Sequence, residues 1–155
     1  MKKLIAYFSP SGNTKAMAEK LAKATGADLF EIKPQTPYTR ADLDWTNKTS
    51  RSSVEMNDKS YRPQIAQLPN SLANYDTIFI GFPIWWYVAP TIINTFVENV
   101  DLDGKKVIPF ATSGGSGMGK TLANLKPSCP GANWVEGKVI NGMSEKALAD
   151  WAEKL

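Results

Sequence analysis

With 155 residues, 43% of them hydrophobic and 21% charged, the chain has the length of one domain and the composition of a globular protein. It has no histidine and one cysteine, Cys129, which excludes imidazole acid–base catalysis, histidine or thiolate zinc sites and an internal disulfide, and points to a reducing compartment. The net charge is +3, but the 18 basic residues are scattered, with none between Arg62 and Lys105, so no continuous stripe for nucleic acid forms.

Met1-Lys2-Lys3 opens like a signal peptide, yet the apolar run Leu4 to Phe8 stops at Pro10 and falls short of an h-region; the expectation is a cytoplasmic chain. Lys3 to Ser9 reads as a strand. Asn13 to Thr25 reads as a helix with Met17, Ala18, Leu21 and Ala22 on one face and Gly26 at its end. Asp28 to Lys33 is a weaker strand. The stretch from Pro34 to Pro63 is rich in Ser, Thr, Asn, Asp and Arg, and is too long for an idle connection: either Asp42 to Asn57 holds a helix or the segment is a mobile linker.

Asp76 to Phe82 and Lys106 to Ala111 are continuous apolar runs, the pattern of central strands covered on both faces. Thr77 to Val97 carries no charge, but Gly81, Pro83, Pro90, Thr91 and Asn94 interrupt it, so strand, turn and helix are expected there and not a membrane span. Pro90 suits the first turn of a helix that turns Ile92, Ile93, Phe96 and Val97 inward. A fifth strand is expected within Ala132 to Ile140, irregular at Gly137. Ser144 caps a last helix with Leu148, Trp151, Ala152 and Leu155 on one side. This alternation predicts a single α/β domain over residues 1–155, a parallel sheet with helices on both faces and right-handed crossovers.

Ligands of such sheets bind at loops leaving the carboxyl ends of the strands. In the first loop, Ser9, Ser11, Gly12, Asn13 and Thr14 run into a helix start, where hydroxyls, an amide and orphan N–H groups can surround a phosphate dianion without a metal. Ser11 and Asn13 serving only as helix caps is the plainer alternative. The second loop, Pro83-Ile84-Trp85-Trp86-Tyr87, carries three large aromatics in succession; they cannot all face one core, so at least one ring is expected at the surface or in a pocket. Packing of Trp85 and Trp86 beneath the Pro34–Pro63 segment is the alternative there. In the third loop, Thr112, Ser113, Gly114, Gly115 and Gly117 permit close backbone approach to a ligand. Gly114, Gly119, Lys120 and Thr121 also satisfy the Walker A spacing, although no apolar run ends in the aspartate a magnesium–nucleotide site needs.

SPSGNT, GFPIWWYVAP and ATSGGSG at these three strand ends together resemble the flavodoxin-like FMN-binding family, over most of the chain. A receiver domain would need acidic residues after the first strand, and a low-molecular-weight tyrosine phosphatase would need a cysteine there; this chain has Ser9. The resemblance implies a flavodoxin-like doubly wound sheet of strand order 2-1-3-4-5 and FMN as cofactor. Ser9, Ser11, Gly12, Asn13 and Thr14 would form its phosphate loop, and Pro83, Ile84, Trp85, Trp86 and Tyr87 its first isoalloxazine loop. Thr112, Ser113, Gly114, Gly115 and Gly117 would form its second, meeting the ring through backbone atoms. The long insert with Trp45 resembles that of short bacterial flavoproteins.

No side chain is assigned a catalytic role by this resemblance, because the flavin carries the chemistry, and apolar walls beside a phosphate imply a low reduction potential. Electron-carrying flavodoxins are generally acidic, whereas this chain has an isoelectric point near 8.9 and no aromatic in its third loop. One flavin face is therefore expected to be open. Two partner classes follow: a redox protein served by a carrier, or NAD(P)H and a quinone-type acceptor served by a reductase. A flavin-free binding module is a third possibility, separable by colour.

Overall fold

The computed structural model describes residues 2–155. Strands β1 (Lys2–Tyr7), β2 (Asp28–Glu31), β3 (Tyr75–Pro83) and β4 (Lys106–Thr112) alternate with helices α1 (Asn13–Thr25), α2 (Arg51–Met56), α3 (Thr91–Asn99) and α4 (Thr121–Leu125). Two short strands, β5 (Asn133–Trp134) and β6 (Lys138–Val139), and helix α5 (Glu145–Glu153) complete the chain. The sheet is parallel in the order β2-β1-β3-β4-β5, with β6 also on β4, the expected 2-1-3-4-5 arrangement. Because the strands run parallel, the loops after β1, β3 and β4 leave one end of the sheet, and the order reverses there between β1 and β3.

Strand alternation divides the core in two. Leu4, Ala6, Phe8, Ile78, Ile80 and Phe82 face α3, whose Ile92, Ile93, Phe96 and Val97 are buried against them. On the other side, Ile5, Tyr7, Phe79, Ile108 and Phe110 meet Met17, Ala18 and Leu21 of α1 and Leu148 of α5. A Cβ on Gly81 would lie 2.2 Å from the Phe110 ring, because that ring fills the space over the middle of β3. Gly81→Ala is therefore expected to lower stability by about 1 to 3 kcal/mol, the range for overpacking a filled core; urea unfolding with an unchanged midpoint would contradict it.

Helix α1 has the expected bounds, and Gly26 ends it at φ 72 with its N–H on the Ala22 carbonyl. The expected strand ends shift inward by two residues at β1 and β2, where the chain turns into the loops. The irregularity at Gly137 has a specific origin. Odd residues of β4 point their main-chain groups at the edge strand: Lys105 and Val107 accept from Asn133 and Val135, and Ala111 accepts from Ile140. Pro109 falls in that row and has no N–H to offer. Opposite it the edge strand breaks into β5 and β6, and Gly137 passes so close that a Cβ would sit 1.9 Å from the Pro109 carbonyl oxygen.

No described helix is long and apolar enough to cross a membrane; the uncharged stretch from Thr77 resolves into β3, a turn and α3, as its prolines and glycine imply.

Candidate functional site

The loop after β1 enters α1 with no side-chain bond from the cap residue itself. Gly12 stands at the cap position in the left-handed region at φ 92, and neither Ser11 nor Asn13 bonds back to the helix. Among the described residues the N–H groups of Ser11, Gly12, Asn13 and Thr14 have no hydrogen-bond partner, which sets aside the plain capping alternative and leaves four donors at the positive end of a helix. Ser9 is the residue that closes the turn, its Oγ accepting from the Lys15 N–H at 2.9 Å. Ser11, Gly12 and Asn13 are exposed, while Thr14 is buried and shares a 2.8 Å hydroxyl–hydroxyl hydrogen bond with Thr112 at the end of β4. That bond joins the first loop to the third.

After β3 the chain makes a tight hairpin in which Trp85 N–H donates to the Val88 carbonyl at 2.9 Å and Val88 N–H returns the bond at 3.2 Å. The two residues between, Trp86 and Tyr87, have φ 50 and 67. Turns of this hand normally use glycine or asparagine, and a bulky residue in the left-handed region is strained, a state that surrounding structure must hold. Here the Tyr87 carbonyl accepts from the Lys120 N–H, and Gly119, itself at φ 54, lies so close that a Cβ would meet that carbonyl oxygen at 2.4 Å.

The turn separates the three aromatics. Trp85 packs edge-on against Phe8 and Tyr38, at ring-centre distances of 5.8 and 5.6 Å, whereas Trp86 and Tyr87 are 45% and 65% exposed. Packing under the insert thus holds for Trp85 and not for Trp86.

Tyr38 belongs to the long insert, which contains a single helix, α2, near the end of the Asp42 to Asn57 span. Ser50 caps α2 by accepting from the Ser53 N–H. A buried carboxylate anchors the segment: Glu55 accepts from the Tyr38 hydroxyl and, at 2.9 Å, from Arg51 Nε. The Arg51 guanidinium also lies 3.8 Å from the Tyr38 ring centre and donates to the Thr36 and Pro37 carbonyls. Burial, followed by the hydrogen bond to Glu55, pushes the Tyr38 phenol well above the ordinary tyrosine range.

So anchored, the insert forms one wall of a cleft of about 670 Å³, with Leu43, Trp45 and Ser52 on its side. Ile84, Trp85, Trp86 and Tyr87 line a second side, and Ser113, Gly114, Gly115 and Ser116 a third. A Cβ on Gly114, Gly115 or Gly117 would meet nothing within 4 Å, so this strand of backbone faces open space. Pro83 ends β3 and Thr112 ends β4; neither they nor Gly117 borders the cleft. Ser9 to Asn13 lie outside it too, linked to its third side through the Thr14–Thr112 bond.

Sequence reasoning misses Asn141, which clamps the third loop by accepting from the Ser113 N–H at 2.8 Å and donating to its carbonyl at 2.9 Å. No motif marks it. The Walker-type spacing does not build a nucleotide cradle: the Thr121 hydroxyl is buried and donates to the Met118 carbonyl, and the helix it opens has five residues.

A family model described as Flavodoxin matches residues 2–155. Among solved structures, the chain is similar to a protein of Bacteroides eggerthii assigned as a flavoprotein, at 54% identity over 99% of this chain and 96% of that one, TM-score 0.95. A flavoprotein of Lactobacillus acidophilus solved in complex with FMN is 28% identical over 88% of this chain and 91% of its own, TM-score 0.69. The uncharacterized NAD(P)H oxidoreductase YcaK of Escherichia coli K12 is 30% identical over 98 residues. That match takes in 63% of this chain and 45% of the relative, so the chain spans just under half its length.

Proposed function

Because this chain belongs to the flavodoxin family, we propose that it binds FMN non-covalently, phosphate at the start of α1 and ring system in the cleft beside the Trp86–Tyr87 turn. The observation that carries this reading is the run of four free N–H groups, Ser11 to Thr14, tied by the Thr14–Thr112 bond to the glycine loop. Uncharged donors converging at a helix N-terminus suit a phosphate dianion, and open glycine backbone opposite exposed aromatic rings suits a flat heterocycle.

When bound, FMN supplies a reversible carrier of two electrons and two protons. The chain holds it. Ser11 and Asn13 stand exposed beside the free N–H groups and can add side-chain donors, and the Asn141 clamp keeps the third loop's backbone in place. Trp86 or Tyr87 borders one edge of the ring system, while Trp45 and Leu43 narrow the approach from the insert. Titration of apoprotein with FMN should quench the flavin's fluorescence and give a yellow sample absorbing at roughly 375 and 450 nm. A colourless protein that leaves FMN fluorescence unchanged would reject the reading in favour of a flavin-free module.

A second reading, an NAD(P)H-dependent reductase in place of a single-electron carrier, is favoured by the basic isoelectric point of 8.9, which removes the acidic steering surface a carrier uses. The relative named as an NAD(P)H oxidoreductase supports it. Stopped-flow mixing of the FMN-loaded protein with NADPH should bleach the flavin, and a quinone should restore the colour. No bleaching at saturating NADPH would leave the carrier.

A further inference from the structure

Behind the Trp86–Tyr87 turn, away from the cleft, lies a second concavity of about 800 Å³ between the end of the insert, the start of α3 and α4. Trp86 and Tyr87 line both spaces, so a single hairpin separates them. We propose that this groove is a binding site for the adenosine-phosphate end of a pyridine dinucleotide whose other end reaches the cleft across the turn. The proposal rests on the reductase reading above and assigns that reading a nucleotide site.

Charge selects the ligand class. Lys59, Arg62 and Lys120 border the groove together with one acid, Glu98. Arg62 is already committed: its Nε and Nη2 bond the two Glu98 oxygens at 2.8 and 3.1 Å, and this hydrogen bonding holds the Glu98 carboxyl below the ordinary glutamate range. Among the described residues, the ammonium groups of Lys59 and Lys120 have no ion pair or hydrogen bond. Two uncompensated cations therefore face one concavity, and they call for an anion.

The remaining surface calls for more than inorganic phosphate. Asn94 uses its amide nitrogen on Ser128 Oγ, at 2.9 Å, and on the Asn124 carbonyl. Its amide oxygen stays free to accept from an exocyclic amine. The exposed rings of Trp86 and Tyr87 offer faces on which a base can stack. Lys120, the residue that completes the Walker-type spacing, is held at the rim because its own N–H bonds the Tyr87 carbonyl at 3.2 Å. A dinucleotide is the occupant that uses the cations, the rings and the neighbouring cleft at once; an acidic peptide uses only the cations.

The test is calorimetric titration of the FMN-loaded protein with NADP+, which binds without reducing flavin, and in parallel with 2′,5′-ADP, ATP and inorganic phosphate. NADP+ and 2′,5′-ADP are expected to bind; Lys59→Glu is expected to weaken both severalfold while leaving FMN affinity and unfolding unchanged, and adding Lys120→Glu is expected to bring the loss to roughly tenfold or more. Equal NADP+ affinity in wild type and variant, binding of ATP but not NADP+, or capture of a poly-glutamate peptide in preference to NADP+ would each overturn the proposal. The same titration of FMN-free protein separates the two claims. Variant-sensitive NADP+ binding without any FMN binding would sink the flavin reading alone; FMN binding without NADP+ binding would sink this one alone.

Discussion

Glu55→Ala is expected to lower the free energy of unfolding by about 2 to 4 kcal/mol. Removing one partner of a buried ion pair typically costs about 3 to 5 kcal/mol, and Arg51 retains enough contact with water to soften that loss. The variant leaves two donors at once without their common acceptor, Arg51 Nε and the Tyr38 hydroxyl, and removes the charge that faces the guanidinium. Its effect should also reach the cleft. Tyr38 is wedged against Phe8 and Trp85, so loosening it frees the insert that carries Leu43 and Trp45. Urea unfolding measures the first effect, and the near-ultraviolet circular dichroism of the aromatic cluster the second. Glu55→Gln, which keeps an acceptor for Tyr38 but loses the charge, should fall between wild type and alanine. Wild-type stability in the alanine variant would mean that the insert is anchored elsewhere.

Ser11→Ala is expected to weaken FMN binding by about 1.5 to 3 kcal/mol, the contribution of one hydrogen bond to a charged group, and to leave stability untouched because Ser11 is exposed and unbonded. Thr14→Ala should weaken binding further but also destabilise the protein, since it leaves the buried Thr112 hydroxyl without its 2.8 Å partner. Thr14→Ser, which keeps the hydroxyl, should recover most of both losses. Fluorescence titration with FMN reads the affinity and thermal unfolding of the apoprotein reads the stability. Affinity equal to wild type in the Ser11, Thr14 double alanine variant would place the phosphate away from α1.

Much of the architecture is legible in the chain because its signals are local. Helix α1 is framed by the Gly12-Asn13 and Thr25-Gly26 junctions, and β3 and β4 are short apolar runs bounded by turn residues. Proline and glycine content resolves the uncharged stretch after Thr77 into strand, turn and helix. The site is legible only to the level of its loops. Nothing in Trp85-Trp86-Tyr87-Val88 marks a hairpin, because the glycine or asparagine that such a turn prefers is absent and the strained backbone is held by Gly119 and Lys120, more than thirty residues later. Likewise the Asn141 clamp and the Tyr38–Glu55–Arg51 anchor depend on contacts across 28 and 17 residues of chain, and polar residues in such loops look the same whether bonded or solvated. The Walker-type spacing shows the converse: a local pattern is matched, yet the Thr121 hydroxyl is turned inward.

The gap opened in the sheet's border by Pro109 has a bearing on how the protein behaves when crowded. An uninterrupted outer strand is a template onto which a second molecule can add its own backbone, the first step toward fibrils. This sheet offers none: one margin is the four-residue β2, bracketed by Asp28 and Glu31, and the other is two dipeptides with a break between them. Prolonged incubation at high concentration should accordingly yield no thioflavin-positive material while the fold is intact, and Pro109→Val, which returns the missing N–H to that row while keeping Gly137 clear of the residue-109 carbonyl, should raise that propensity.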